Sequence, residues 1–314
     1  MWDSKLLFML KQIYKILFNR NIILIGAIIL GMSVGGFSDT LKDFNIYILA
    51  IVMTFSTSGI SAKGLLPVSR SAKTIGVSVF LGYFVFSAVL LALSWFFIDD
   101  TYLFYGMVII AASPPGVAVI PFTHILKGDM NYTMVGTLGT YLASVVMAPL
   151  IISVFSGSGS LNPMQLVIIM IKIIVVPFLI SRLLRHKTVY QSIVKIRGRV
   201  VDFGFALIIY TAVGLNRSVF FENFEVLAVL SIIFIISMFG LGGIHKYLSN
   251  RIKTNKEIAI SQNLLLTIKS SGFTASASLA IFGKEAAVPS AVMAVLVLVY
   301  LLYLSLINEL KKRF

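Results

Sequence analysis

Hydrophobic runs of roughly 20 residues, the length that crosses a bilayer core, recur from residue 21 to residue 309 of this 314-residue chain, with only short polar breaks between them. Nothing constrains the fold more. With 58% hydrophobic residues and only 12% charged, the chain carries too much apolar surface to hide inside a water-soluble domain. The solvent is lipid, and in lipid a chain without barrel-type alternation spans as α-helices, because each helix satisfies its own backbone. The runs predict ten spans: 21–37, 44–61, 74–97, 103–126, 131–155, 162–181, 200–216, 224–245, 258–283 and 286–308. Residues 1–20 spread Lys5, Lys11, Lys15 and Arg20 among apolar residues, which reads as an amphipathic surface helix rather than a signal peptide.

The charges test that count. Taken on alternate sides, one set of connecting segments carries 21 cations, among them Lys63, Arg70, Lys73, Arg182, Arg185, Lys195, Arg197, Arg199 and Lys311 to Arg313. The opposite set has only Lys42, Arg217 and Lys284, beside seven acids. By the positive-inside rule the first set is cytoplasmic, so both termini are expected on the cytoplasmic side of a multi-pass plasma-membrane protein. The net charge of +14 then reads as topology signals and contacts with an anionic cytoplasmic leaflet, not as a nucleic-acid footprint. The sequence holds no cysteine, so thiolate chemistry and disulfides are excluded. Nothing in it sets an oligomeric state.

Two passages would not occur in a plain apolar helix. Ser113-Pro114-Pro115-Gly116 is followed thirteen residues after its glycine by Asp129, and Lys269-Ser270-Ser271-Gly272 is followed at the same distance by Glu285. They fall in the fourth and ninth spans, at matching places in each half. Five spans is an odd number, so the halves 21–155 and 156–314 are expected as inverted five-helix repeats, a plan found in many secondary transporters. Tandem prolines remove backbone donors and push the preceding residue out of helix. The 113–116 passage is therefore predicted to break, with a half-helix starting near Val117 whose unpaired N–H groups attract anions.

Lys172 and Lys269 lie deep within their spans. A charge at the bilayer centre costs roughly 2.5–3.5 kcal/mol on insertion scales and is usually functional. All twelve acids fall in loops or near span ends, so neither lysine has a midplane carboxylate. Each is expected to be neutral, hydrated, or neutralised by something that is not protein, for which a bound anion qualifies. The candidate substrate residues are therefore Lys269, Ser270, Ser271, Gly272, Pro115, Gly116, Val117 and Lys172. Weaker candidates for ion or proton coupling are Thr133, Thr137 and His124. The chain is not expected to be an enzyme. It has no midplane carboxylate, no cysteine nucleophile and no histidine pair spaced for a metal. A sensor would need an output domain, for which the chain leaves no room.

The stretch from Ser113-Pro114-Pro115-Gly116 through Lys127-Gly128-Asp129, with Thr133 and Thr137 after it, resembles the fourth and fifth helices of the bile acid:sodium symporter family, which carry Cys-Pro-Gly-Gly and then a basic residue, glycine and an acid or amide. Residues 53–61, Ile173-Ile174-Val175-Val176-Pro177, and 269–289 ending Ala286-Ala287-Val288-Pro289 look like further family stretches. The resemblance implies an all-α membrane protein whose discontinuous fourth and ninth helices cross in a core bundle (spans 3–5 and 8–10) beside a panel bundle (spans 1, 2, 6 and 7). It also implies transport of organic anions coupled to sodium. At the family's sodium-binding glutamate and glutamine of the ninth helix, however, this chain has Leu265 and Lys269, with Ser270 for the asparagine. Val119 and Ile120 stand for a serine-asparagine pair, and Phe80 for a glutamine. Only Thr133 and Thr137 keep ligand oxygens, too few for a hard cation that wants several with charge among them. No cofactor is expected, and sodium is not expected to bind as it does in the family. The expectation is a secondary transporter of a small organic anion in which the Lys269 ammonium stands in for the ion. The alternatives are a sodium-coupled symporter with a rearranged ion site and an auxin-efflux-carrier-like permease.

Overall fold

The structure, a computed structural model, describes residues 20–59, 68–116, 118–155, 168 and 171–313. The surface helix expected over 1–20 lies almost wholly outside these residues, as do Val117 and much of the sixth expected span. Among the described residues there is no strand. The principal helices are α1 (Arg20–Ser33), α2 (Asn45–Ser58), α3 (Val68–Val79), α4 (Phe86–Phe97), α5 (Thr101–Ala112), α6 (Val119–Leu126), α7 (Met130–Phe155), α8 (Val176–Leu183), α9 (Lys187–Leu215), α10 (Arg217–Glu222), α11 (Phe224–Ile235), α12 (Leu241–Arg251), α13 (Lys256–Thr267), α14 (Ser271–Ile281) and α15 (Val288–Arg313).

Among the described residues five stretches are long and apolar enough to cross a membrane: 71–97, 130–155, 189–215, 224–251 and 285–307. Residues 22–33 and 35–58, bent by 90°, form one further pair. No single helix covers the fourth or the ninth expected span. α5 and α6 are separated by one break and α13 and α14 by another, and a 12-residue helix is only about 18 Å long.

Several boundaries differ from the sequence reading: α3 begins at Val68 rather than 74, and the helices ending at Arg251 and Arg313 outrun 245 and 308; three further differences bear on the site. The first span ends at Ser33 and continues as short turns through Phe44, because Gly35-Gly36 adds backbone freedom that a helix interior must give up. α9 begins at Lys187 rather than 200. Its first half carries Lys187, Lys195, Arg197 and Arg199, so an apolar run starts only near 200, whereas the helical backbone satisfies itself through the polar turns as well. The second break occupies 268–270, so Ser271 and Gly272 already belong to the first turn of α14.

The packing falls into two groups. α9 lies against α1 and α2, and α8 against α2; α3 and α6 pack with α7 and α13, α5 packs with α4 and α7, and α11, α12, α14 and α15 complete the second group. α9 and α2 meet α14 along the seam between them, with α15 also on α9. Segments placed in the same charge set share an end of the bundle. The Asp129 N–H donates to the Glu257 carbonyl (3.1 Å), Arg182 and Arg185 donate to the Thr57 and Ser58 carbonyls at the end of α2, and Asp39, Lys42 and Lys284 line one cavity at the other end.

Irregularities recur at a constant separation of 156 residues. A π-helical turn over Phe80–Val85 is matched by one over Ile236–Gly240. The left-handed Lys127 (φ 60°) after α6 is matched by Gly283 (φ 92°) after α14. The two helix breaks share the same offset. Neither π-turn is foreshadowed by a proline.

Candidate functional site

The two breaks meet. Pro115 and Lys269 form an isolated antiparallel bridge, in which the Gly116 N–H donates to the Ile268 carbonyl (3.0 Å) and the Ser270 N–H to the Pro114 carbonyl (3.1 Å). Each strand of backbone thus satisfies the other where no water is at hand. The approach needs glycine at 116, since a Cβ there would lie 3.0 Å from the Lys269 carbonyl oxygen and 3.3 Å from Ile268 Cγ2. A phenol braces the turn, with Tyr141 Oη donating to the Pro115 carbonyl (3.1 Å).

The chain direction decides the electrostatics. α5 and α13 both end at the crossing, and α6 and α14 both begin there. Two negative and two positive helix ends therefore converge. Ser270 caps α14, its Oγ accepting from the Phe273 N–H (3.4 Å).

Lys269 is 1% exposed. Its Nζ donates to the carbonyls of Ser113 (2.8 Å) and Ala111 (3.2 Å), the negative end of α5. It lies 4.7 Å from the centroid of the Tyr83 ring and 5.3 Å from that of Phe86, a desolvated cation–π contact with two faces. Tyr83 is itself tied to the Thr140 carbonyl (3.3 Å). The sequence reading left this lysine to be neutral, hydrated or paired with a non-protein anion; the fold instead surrounds it with carbonyls and rings. Tyr83 and Phe86, three residues apart on the third span, were not singled out from the sequence. An aromatic pair at helical spacing is ordinary core, and only the crossing brings it to the ammonium.

Beside the crossing lies a cavity of about 40 Å³. Gly116, Ala118 and Lys269 to Gly272 form one wall, and Leu24, Phe205, Ile209 and α15 close it. Phe205 of α9 sits against Gly272, where an added Cβ would collide with its ring. The neighbours of the Lys269 ammonium do not line this cavity, so the charge itself is turned away from it.

The remaining candidates disperse. Lys172 is exposed in a π-helical turn over Ile171–Val175 that packs on α2, α7 and α8, and it does not line the cavity beside the crossing. His124 is exposed in the last turn of α6. Thr133 shares a hydrogen bond with Thr123 (3.0 Å), and Thr137 Oγ1 is buried with no partner among the described residues. The groups of three or more His, Cys, Asp or Glu that would hold a metal are absent among the described residues.

A comparison with curated proteins finds no match. The model of the sodium bile acid symporter family matches residues 46–223, more than half of the chain and including the first break, its bracing Tyr141 and Phe205. The chain thus belongs to the sodium bile acid symporter family, a family of membrane transporters.

Proposed function

We propose that the protein is a secondary transporter of a small organic anion that works by alternating access with a tethered ammonium, that of Lys269, in place of a bound sodium ion. The observation that carries this reading is the Lys269 Nζ seated on two helix-end carbonyls between two aromatic rings. Carbonyls at a broken helix end are what a transporter offers to a coupling cation, and here a side chain takes them. The repeated irregularities support ten spans arranged as two inverted repeats. The two packing groups support a panel (α1, α2, α8, α9) that moves against a core. The anion is recognised where α6 and α14 begin, at Gly116 and Ser270 to Gly272, with Leu24, Phe205 and Ile209 against its apolar part. At about 40 Å³ that space is too small for an organic anion, and separation of Phe205 from Gly272 enlarges it. Lys269 acts there by fixing the helix ends and their field, while Lys172, exposed near the panel, meets lipid headgroups or solvent.

Two experiments test the reading. A thermal-shift screen of the purified protein against carboxylate, sulfonate and sulfate-ester amphiphiles identifies the anion class. Uptake of the selected compound into proteoliposomes is then measured with and without a sodium gradient. Sodium-independent uptake is expected; strict sodium dependence refutes the tethered-ammonium mechanism.

A further inference from the structure

A second cavity, about 500 Å³, opens along the same seam toward Asp39 and Lys284. Its size is that of small-molecule sites. Asn45 and Ile46 of α2 and Leu215 at the end of α9 line one side; Ser276, Leu279 and Ala280 of α14 line the other. Two of these residues are buried without partners. Asn45 is 1% exposed and Ser276 is 1% exposed, yet the amide nitrogen and oxygen of Asn45 and the hydroxyl of Ser276 make no hydrogen bond among the described residues. Thr54, Thr57 and Thr274 on the same two helices each donate to a carbonyl of their own helix, while the Ser278 hydroxyl, two residues beyond Ser276, is also unpaired among the described residues. Native proteins leave few buried polar groups unpaired, and here two residues that do so line one cavity, one from each packing group, with the unpaired atoms themselves covered.

We propose that this cavity is the outer chamber of the transport route and that Asn45 and Ser276 bind a monocarboxylate carrying a hydroxyl or N–H donor beside the carboxyl, on a short apolar body. The chemistry follows from what is unpaired. The Asn45 Nδ2 and Ser276 Oγ–H donate to a carboxylate, whereas the Asn45 Oδ1 needs a donor next to it. Ile46, Leu215, Leu279 and Ala280 suit an apolar tail. Lys42 is paired with Asp39 and Lys284 with Glu285, so the lining offers no excess positive charge and disfavours a dianion. The unpaired atoms lie just beneath the chamber wall, so a slight parting of α2 from α14 presents them, the same motion that lifts Phe205 from Gly272.

This inference rests on the organic-anion reading, and one titration separates the two. Isothermal titration of the purified full-length protein compares 2-hydroxyhexanoate with hexanoate. The hydroxy acid is expected to bind at least ten-fold more tightly, and Asn45→Leu is expected to weaken both acids and to bring them to equal affinity. Equal binding of the two acids, or an advantage that survives Asn45→Leu, overturns the chamber assignment and leaves the anion reading standing. Binding of neither acid overturns the chamber assignment and counts against the anion reading as well. Because the chain has no native cysteine, Leu279→Cys gives a second readout. Its labelling by a membrane-impermeant maleimide should be slowed by 2-hydroxyhexanoate and not by hexanoate, and labelling unaffected by the hydroxy acid also overturns the assignment.

Discussion

Replacing Lys269 with methionine separates the two roles a buried charge can have. The substitution removes two charge-assisted hydrogen bonds and two ring contacts, but it also removes an ammonium whose desolvation costs several kcal/mol. What it leaves behind decides the result. The Ala111 carbonyl keeps the Ser87 hydroxyl as a donor at 2.7 Å, whereas the Ser113 carbonyl has no other donor among the described residues. One orphaned neutral carbonyl costs about 1–3 kcal/mol, and methionine keeps an apolar stem with favourable sulfur–ring contact between Tyr83 and Phe86. Lys269→Met should therefore destabilise the protein by about 1–3 kcal/mol. That is well below the 3–5 kcal/mol lost when half of a buried ion pair is deleted, since no uncompensated charge remains. Denaturant unfolding in detergent measures the stability, and proteoliposome uptake measures the function, which should be lost. Failure to fold, or a loss above about 5 kcal/mol, would show that an unseen anion partners the ammonium. Retained uptake would show that the charge is merely tolerated.

Three smaller perturbations probe the crossing and the helix α7 beside it. Gly116→Ala forces a methyl to 3.0 Å from the Lys269 carbonyl; an overpacked junction of this kind should lose about 1–3 kcal/mol in the same unfolding assay. Tyr141→Phe deletes the hydroxyl that braces the Pro115 carbonyl and should cost about 1 kcal/mol, with uptake slowed rather than abolished. Thr137→Val removes a buried hydroxyl without a partner and should be neutral or slightly stabilising with sodium-independent uptake unchanged; a loss of uptake would identify Thr137 as an ion or substrate ligand.

The breaks themselves were legible in the residues. Pro114-Pro115 excludes a continuous helix by local sterics alone, and Ser270-Ser271-Gly272 reads as its counterpart because it stands at the same distance before an acid. The position of Lys269 deep in an apolar stretch was equally plain. Its partners were not, since backbone carbonyls carry no sequence signature and the rings of Tyr83 and Phe86 come from a helix nearly two hundred residues away in the chain. Asn45 stayed hidden for a related reason. An asparagine near a predicted span end looks like an ordinary interfacial residue, and only the seam buries both its amide atoms.

Composition and local chemistry thus determined the solvent, the helical class and where the helices must break, because bilayer thickness and proline geometry act over a few residues at a time. The tertiary structure alone decided that the two breaks lie antiparallel, that the Lys269 ammonium turns toward the end of α5 instead of the cavity beside it, and that the polar groups of the seam are left without partners. Those outcomes depend on which distant backbone atoms converge in a low-dielectric interior, and no local pattern in the chain encodes that convergence.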